Sequence, residues 1–167
     1  RLVNEQKATM IVEHVSYNVL EGSYDRDIFT ADKAVQSFSK AFQAEKAVQD
    51  YVFTDGMADE SVERKFAEDL DAAEEVCVYA KLPRTFQIPT PVGNYSPDWA
   101  IAFYEGTVKH IFFVAETKGS MESLELRPIE QAKISCARKL FSEMSTHKVV
   151  YHEVDSYRNL LEIMKTI

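Results

Sequence analysis

The chain has 167 residues, 46% of them hydrophobic and 28% charged, which suits one soluble-type domain with a real core. Its net charge of −8 is unevenly spread: residues 1–75 hold 8 Lys/Arg against 17 Asp/Glu, and residues 76–167 hold 11 against 10. A protein that captures DNA unaided needs several cations on one face to neutralise phosphates, so this balance argues against autonomous DNA capture and leaves the C-terminal half as the place for a substrate.

Taken in chain order, the first elements read as helices. Ala8, Ile11, Val12 and Val15 recur at helical spacing over 5–18, and Glu21-Gly22-Ser23 breaks the pattern. A second helix, capped by Thr30 or Asp32, is predicted to run to about Phe53 on Ala34, Val35, Phe38, Phe42, Ala47 and Tyr51. Asp55-Gly56 ends it, and a third starts near Asp59 or Ser61 and runs to about Glu74. The periodicity then changes. Val76 to Ala80 reads as a strand, followed by an irregular connection stiffened by Pro83, Pro89 and Pro91. Residues 98–104 and 109–118 read as a β-hairpin around Gly106. Pro128 opens a helix over 128–144, and a strand (147–154) and a last amphipathic helix (157–167) follow. The fold class is α/β: a core of about four mixed strands flanked by helices, the first three strands an antiparallel meander. An N-terminal helical segment (1–55) is expected to precede the core (56–167).

Two strings carry chemistry. Pro97-Asp98 is followed, eighteen residues after the acid, by Glu116-Thr117-Lys118 at the end of the apolar run Ile111 to Ala115. Side chains alternate along a strand, so Glu116 and Lys118 share one face and Thr117 points away. Phosphodiester hydrolysis needs charge neutralisation and an activated water, and Mg²⁺ supplies both through hard oxygen ligands. Asp98 and Glu116 are the ligand pair, with the Thr117 backbone carbonyl as a further oxygen. Lys118 would orient the water or stabilise developing charge. An isolated E-x-K is a common surface tripeptide; the upstream Pro-Asp on a paired strand is what gives it weight.

Hairpin geometry sharpens this. A two-residue turn at Glu105-Gly106 would set Asp98 against Phe113, whereas a loop over 105–109 would set it against Glu116. Opposed residues have Cβ atoms roughly 4.5–5.5 Å apart, suitable for sharing a metal, so the longer loop, or a short turn with a bulge, is expected. On the third helix, Val62, Phe66, Leu70 and Ala73 define an apolar arc with Glu63 inside it. A buried carboxylate needs a partner, so Glu63 should reach a metal, its waters or Lys118, unless it snorkels from the arc's edge. On helix 128–144, Lys133 and Glu130 fall within the apolar arc, as an inward structural pair or as a phosphate contact. Arg138 reads as a solvated helix residue and Trp99 as core.

Other chemistries find no support. The four histidines lack metal-ligand spacing, and none of the five glycines fits a phosphate-cradling G-x-x-x-x-G-K loop. Cys77 and Cys136 read as buried, reduced thiols. No apolar stretch nears the roughly 20 residues of a membrane span. With no initiator Met or signal-peptide pattern, the chain reads as a piece of a longer cytoplasmic protein.

The Pro-Asp…Glu-x-Lys arrangement resembles the PD-(D/E)XK nuclease superfamily. A more specific likeness lies in Lys81-Leu-Pro, in Ile88-Pro-Thr-Pro-Val-Gly-Asn-Tyr-Ser-Pro-Asp-Trp-Ala100, in Val114-Ala-Glu-Thr-Lys-Gly119, and in the stretches 126–130 and 133–137. These strings are similar to the C-terminal endonuclease domain of type III restriction subunits, tightly over 60–144 and loosely over 1–55. The resemblance implies a restriction-endonuclease-like core and Mg²⁺-dependent cleavage of double-stranded DNA, with Mn²⁺ a possible substitute. It also implies a prokaryotic cytoplasmic setting, ATP use by a helicase-like domain of the same subunit outside this chain, and a modification (methyltransferase) subunit as partner. Asp98, Glu116 and Lys118 fall on the catalytic motif positions, and Glu63 where the superfamily often has a helix carboxylate. Two other readings stay open: the nuclease of a DNA-repair helicase–nuclease, which would lack the Pro91-to-Trp99 string, and a non-catalytic subunit-docking module.

Overall fold

A computed structural model describes residues 41–54, 61–106, 112–117, 128–144 and 149–166, with side chains for all of these except residues 42, 112–116, 128, 129, 144 and 149. Among the described residues six strands and three helices follow in chain order: β1 (Ala41–Gln43), β2 (Tyr51–Phe53), α1 (Val62–Ala72), β3 (Val76–Lys81), β4 (Trp99–Phe103), β5 (Phe112–Thr117), α2 (Pro128–Met144), β6 (Val149–Val154) and α3 (Tyr157–Thr166).

The main sheet has the order β3-β4-β5-β6. Its first three strands form the expected antiparallel meander, and β6 joins β5 in parallel after the α2 crossover. Alternation along β4 explains the two-sided burial. Trp99, Ile101 and Phe103 point into a core with Phe66 and Leu70 of α1, Val154, and Leu160 and Met164 of α3. Ala100 faces a second core, where Ile134 and Ala137 of α2 pack with Leu82, Ile88, Tyr95 and Tyr151. Helices on both faces bury both sides of the sheet, the layered solution for an α/β domain.

The N-terminal expectation needs correction. Residues 5–18 and the start of the second predicted helix lie outside the described residues, but 41–53 are not helical. They form an antiparallel hairpin pairing Ala41 with Phe53 and Gln43 with Tyr51. The reason is tertiary. The segment between its strands pairs with the open edge of β3, where Val48 N–H donates to the Tyr79 carbonyl at 2.8 Å and Tyr79 N–H to the Lys46 carbonyl at 3.2 Å. An edge strand's free backbone groups are satisfied this way, and Val52 is fully buried in the first core. The Asp71 carboxylate at the end of α1 accepts from the N–H groups of Glu45 and Lys46, fixing the segment. Cys77 is exposed on β3, against expectation, while Cys136 is buried; both are free thiols. Among the described residues no helix is long and apolar enough to cross a membrane.

Candidate active site

The β4–β5 register decides the hairpin question. Trp99 pairs with Ala115 and Ala102 with Phe112. Carried one residue further, that register sets Asp98 opposite Glu116 and not Phe113, while the connection itself (107–111) lies outside the described residues. Gly106, at φ 84°, takes the left-handed conformation that glycine adopts cheaply as the chain leaves β4. Asp98 itself is held on two sides. The preceding Pro97 is fully buried, and the Asp98 carbonyl accepts from Leu82 N–H at 2.7 Å, prolonging the β3–β4 ladder.

The Asp98 carboxylate is oriented by Thr117. Oδ2 accepts from both the N–H and the Oγ1 hydroxyl of Thr117, each at 2.9 Å. Thr117 Oγ1 in turn accepts from Trp99 Nε1–H at 3.3 Å. A buried indole N–H thus feeds a hydroxyl, and the hydroxyl feeds the carboxylate, which leaves Oδ1 directed elsewhere. Oδ1 lies 3.7 Å from Nζ of Lys81, the last residue of β3. The same ammonium is ion-paired with Glu63, in the first turn of α1, and stands 4.7 Å from the Trp99 ring centroid. Ser61 caps that helix by accepting from Arg64 N–H, so Glu63 leaves a fixed helix start.

Glu63, 12% exposed in its side chain, is therefore sheltered as the apolar arc predicted, but its described partner is Lys81. Lys118 lies outside the described residues, as does the Glu116 side chain; only the Glu116 backbone is placed, paired in register with Glu153 on β6. Glu153 is buried at 4% exposure and ion-paired with Arg138 of α2, which stays solvent-exposed as expected while its guanidinium reaches the Glu153 carboxylate. Lys133 lies along the loop at Gly93, where a Cβ would meet its Cε and Nζ at 3.4 Å.

Sequence reasoning missed Lys81 and the side chain of Thr117. A signal existed for Lys81: it is two residues beyond the buried Tyr79, so strand alternation puts it on the inward face of β3. Nothing local marks Thr117, whose role arises only across strands. Among the described residues no group of three or more His, Cys, Asp and Glu converges as a metal cluster. The donor chemistry nevertheless fits a hard divalent ion. Carboxylates from α1 and β4 already bracket one cation, Lys81, and the register brings Glu116 to the strand position facing Asp98.

A family described as Endonuclease domain matches residues 45–157. The chain is 28% identical over 141 residues to the type III restriction-modification enzyme EcoPI Res subunit of Escherichia phage P1, and 30% identical over 141 residues to the EcoP15I Res subunit of Escherichia coli. Each alignment covers 78% of this chain but 14% of the relative, so the chain spans about a seventh of those proteins' length. No solved structure matches. The matched span runs from the edge-pairing segment through β6 and includes Glu63, Lys81, Asp98 and Glu116: the chain belongs to this endonuclease-domain family.

Proposed function

We propose that this chain is the metal-dependent, PD-(D/E)XK-type nuclease domain of a type III restriction subunit, hydrolysing phosphodiester bonds of double-stranded DNA. The observation that carries the reading is the convergence at the ends of β3, β4 and β5: an oriented Asp98, a facing Glu116 position, and Glu63 within reach of the same cation. Asp98, Glu116 and the Thr117 carbonyl would hold Mg²⁺ or Mn²⁺. That ion would lower the pKa of a bound water and neutralise charge on the scissile phosphate. Thr117 and Trp99 fix the Asp98 carboxylate so that it presents Oδ1, and Lys118 serves the attacking water or the developing oxyanion. The relatives' length and names support a longer restriction subunit, which we place in a prokaryotic cytoplasm. In it a helicase-like domain would use ATP, and a modification subunit would read the DNA sequence.

The test is plasmid cleavage by the full-length subunit in its complex, with Mg²⁺. Asp98→Asn and Lys118→Ala should each lower the cleavage rate by at least about 100-fold while leaving ATP hydrolysis unchanged. Equal cleavage by wild type and both variants would overturn the assignment and favour a docking role.

A further inference from the structure

Lys81 has a position too well defined for a solvated lysine. Its side chain is 19% exposed, its ammonium meets Glu63 from α1 and Asp98 from the start of β4, and its head stands over the Trp99 ring. Surface lysines pair loosely, with little energy and many rotamers. Here two carboxylates from different elements and an aromatic face specify one point. The carboxylates lie close enough to share one ammonium, so without it two negative charges would confront each other in a partly dry recess.

Resting on the metal-dependent reading above, we infer that Lys81 is a resident counter-ion. It holds Glu63 and Asp98 in place before metal is bound and competes with the divalent ion for their oxygens. An ammonium 3.7 Å from Oδ1 and a dication bound to that carboxylate repel each other, so Lys81 moves away from Asp98 when the ion is bound. Its flexible four-carbon stem allows that movement, unlike the rigid fork of an arginine. The arrangement keeps the acids preorganised and sets metal affinity lower than the bare carboxylates would give.

Direct Mn²⁺ titration of the full-length protein, following free Mn²⁺ by its electron-spin resonance, tests this without any cleavage assay. The Asp98-dependent site is isolated by subtracting binding to Asp98→Ala. Lys81→Met should bind Mn²⁺ at that site on the order of tenfold more tightly. Lys81→Arg, which keeps the charge and can grip both carboxylates, should bind it about threefold more weakly. The opposite signs separate a competing cation from a mere prop, and Lys81→Arg serves if Lys81→Met fails to fold. Wild-type affinity in Lys81→Arg, or unchanged or weaker affinity in folded Lys81→Met, overturns the inference alone. If wild type and Asp98→Ala bind Mn²⁺ identically, the metal-dependent reading falls and this inference falls with it.

Discussion

Thr117 shows how much one side chain can do without touching substrate. Its hydroxyl accepts from the indole of Trp99, which is fully buried, and donates to Asp98. Thr117→Val keeps the shape and the backbone N–H bond but removes both hydroxyl bonds, leaving a buried indole N–H without that acceptor. A buried donor that loses its partner costs about 1–3 kcal/mol. Urea unfolding should therefore show a lower midpoint for Thr117→Val at an unchanged m-value, with Thr117→Ser close to wild type. A Thr117→Val midpoint equal to wild type would mean that the relay orients Asp98 without stabilising the fold.

Elements whose pattern is set by one buried face were legible from sequence, and those set by a distant edge were not. The meander, α2 from Pro128 to Met144, and the Asp98–Glu116 opposition follow from alternation, a proline start and loop length. The 41–53 hairpin does not, because Phe42, Ala47 and Tyr51 also fit helical spacing and only the unpaired β3 edge selects the extended form. The roles of Lys81 and Thr117 escaped for a related reason: each is defined by partners on other elements, Glu63 of α1 and Asp98 for Lys81, Asp98 and Trp99 for Thr117. The junction of α1 with its neighbours has a measurable signature of its own. Tyr79 donates from its hydroxyl to Asp71 at 3.1 Å, and Tyr157 to Glu75 at 3.3 Å. Burial first, then the adjacent carboxylate, pushes both phenols above their ordinary value of 10. A raised folded-state pKa means the unfolded chain loses its proton first. The stabilisation is complete below pH 10 and is lost as pH climbs toward the folded-state values. Above pH 10 each phenol should add up to about 1.4 kcal/mol of lost stability per pH unit. Urea unfolding at pH 9 and 11 should show a smaller alkaline loss in Tyr79→Phe and in Tyr157→Phe than in wild type. Equal losses in all three would show that these phenols ionise alike in folded and unfolded states.

Over the whole molecule, charge separates cutting from capture. A carboxylate site at the ends of β3, β4 and β5 suits a hard cation, yet the chain carries −8 overall, with −9 in residues 1–75 and +1 in the rest. Phosphate neutralisation dominates DNA affinity, and each neutralised phosphate steepens the salt dependence by about one unit of log K per log salt. The 167-residue chain alone should therefore bind a labelled duplex more weakly than about 10⁻⁴ M at physiological salt, with a log–log salt slope shallower than about −3. Fluorescence anisotropy between 50 and 200 mM salt would measure both (a span over which multi-phosphate binders lose roughly 10³–10⁵ in affinity). If charge and not shape limits capture, converting exposed acids outside the carboxylate site should relieve it. Asp50 and Glu74 are exposed, and changing both to lysine raises the net charge by four. That double variant should bind the duplex more tightly and with a steeper salt slope. Its Mn²⁺ affinity should stay unchanged, because neither residue touches Glu63, Lys81 or Asp98. Tight, steeply salt-dependent binding by the unmodified chain would instead place a cationic DNA track within these residues.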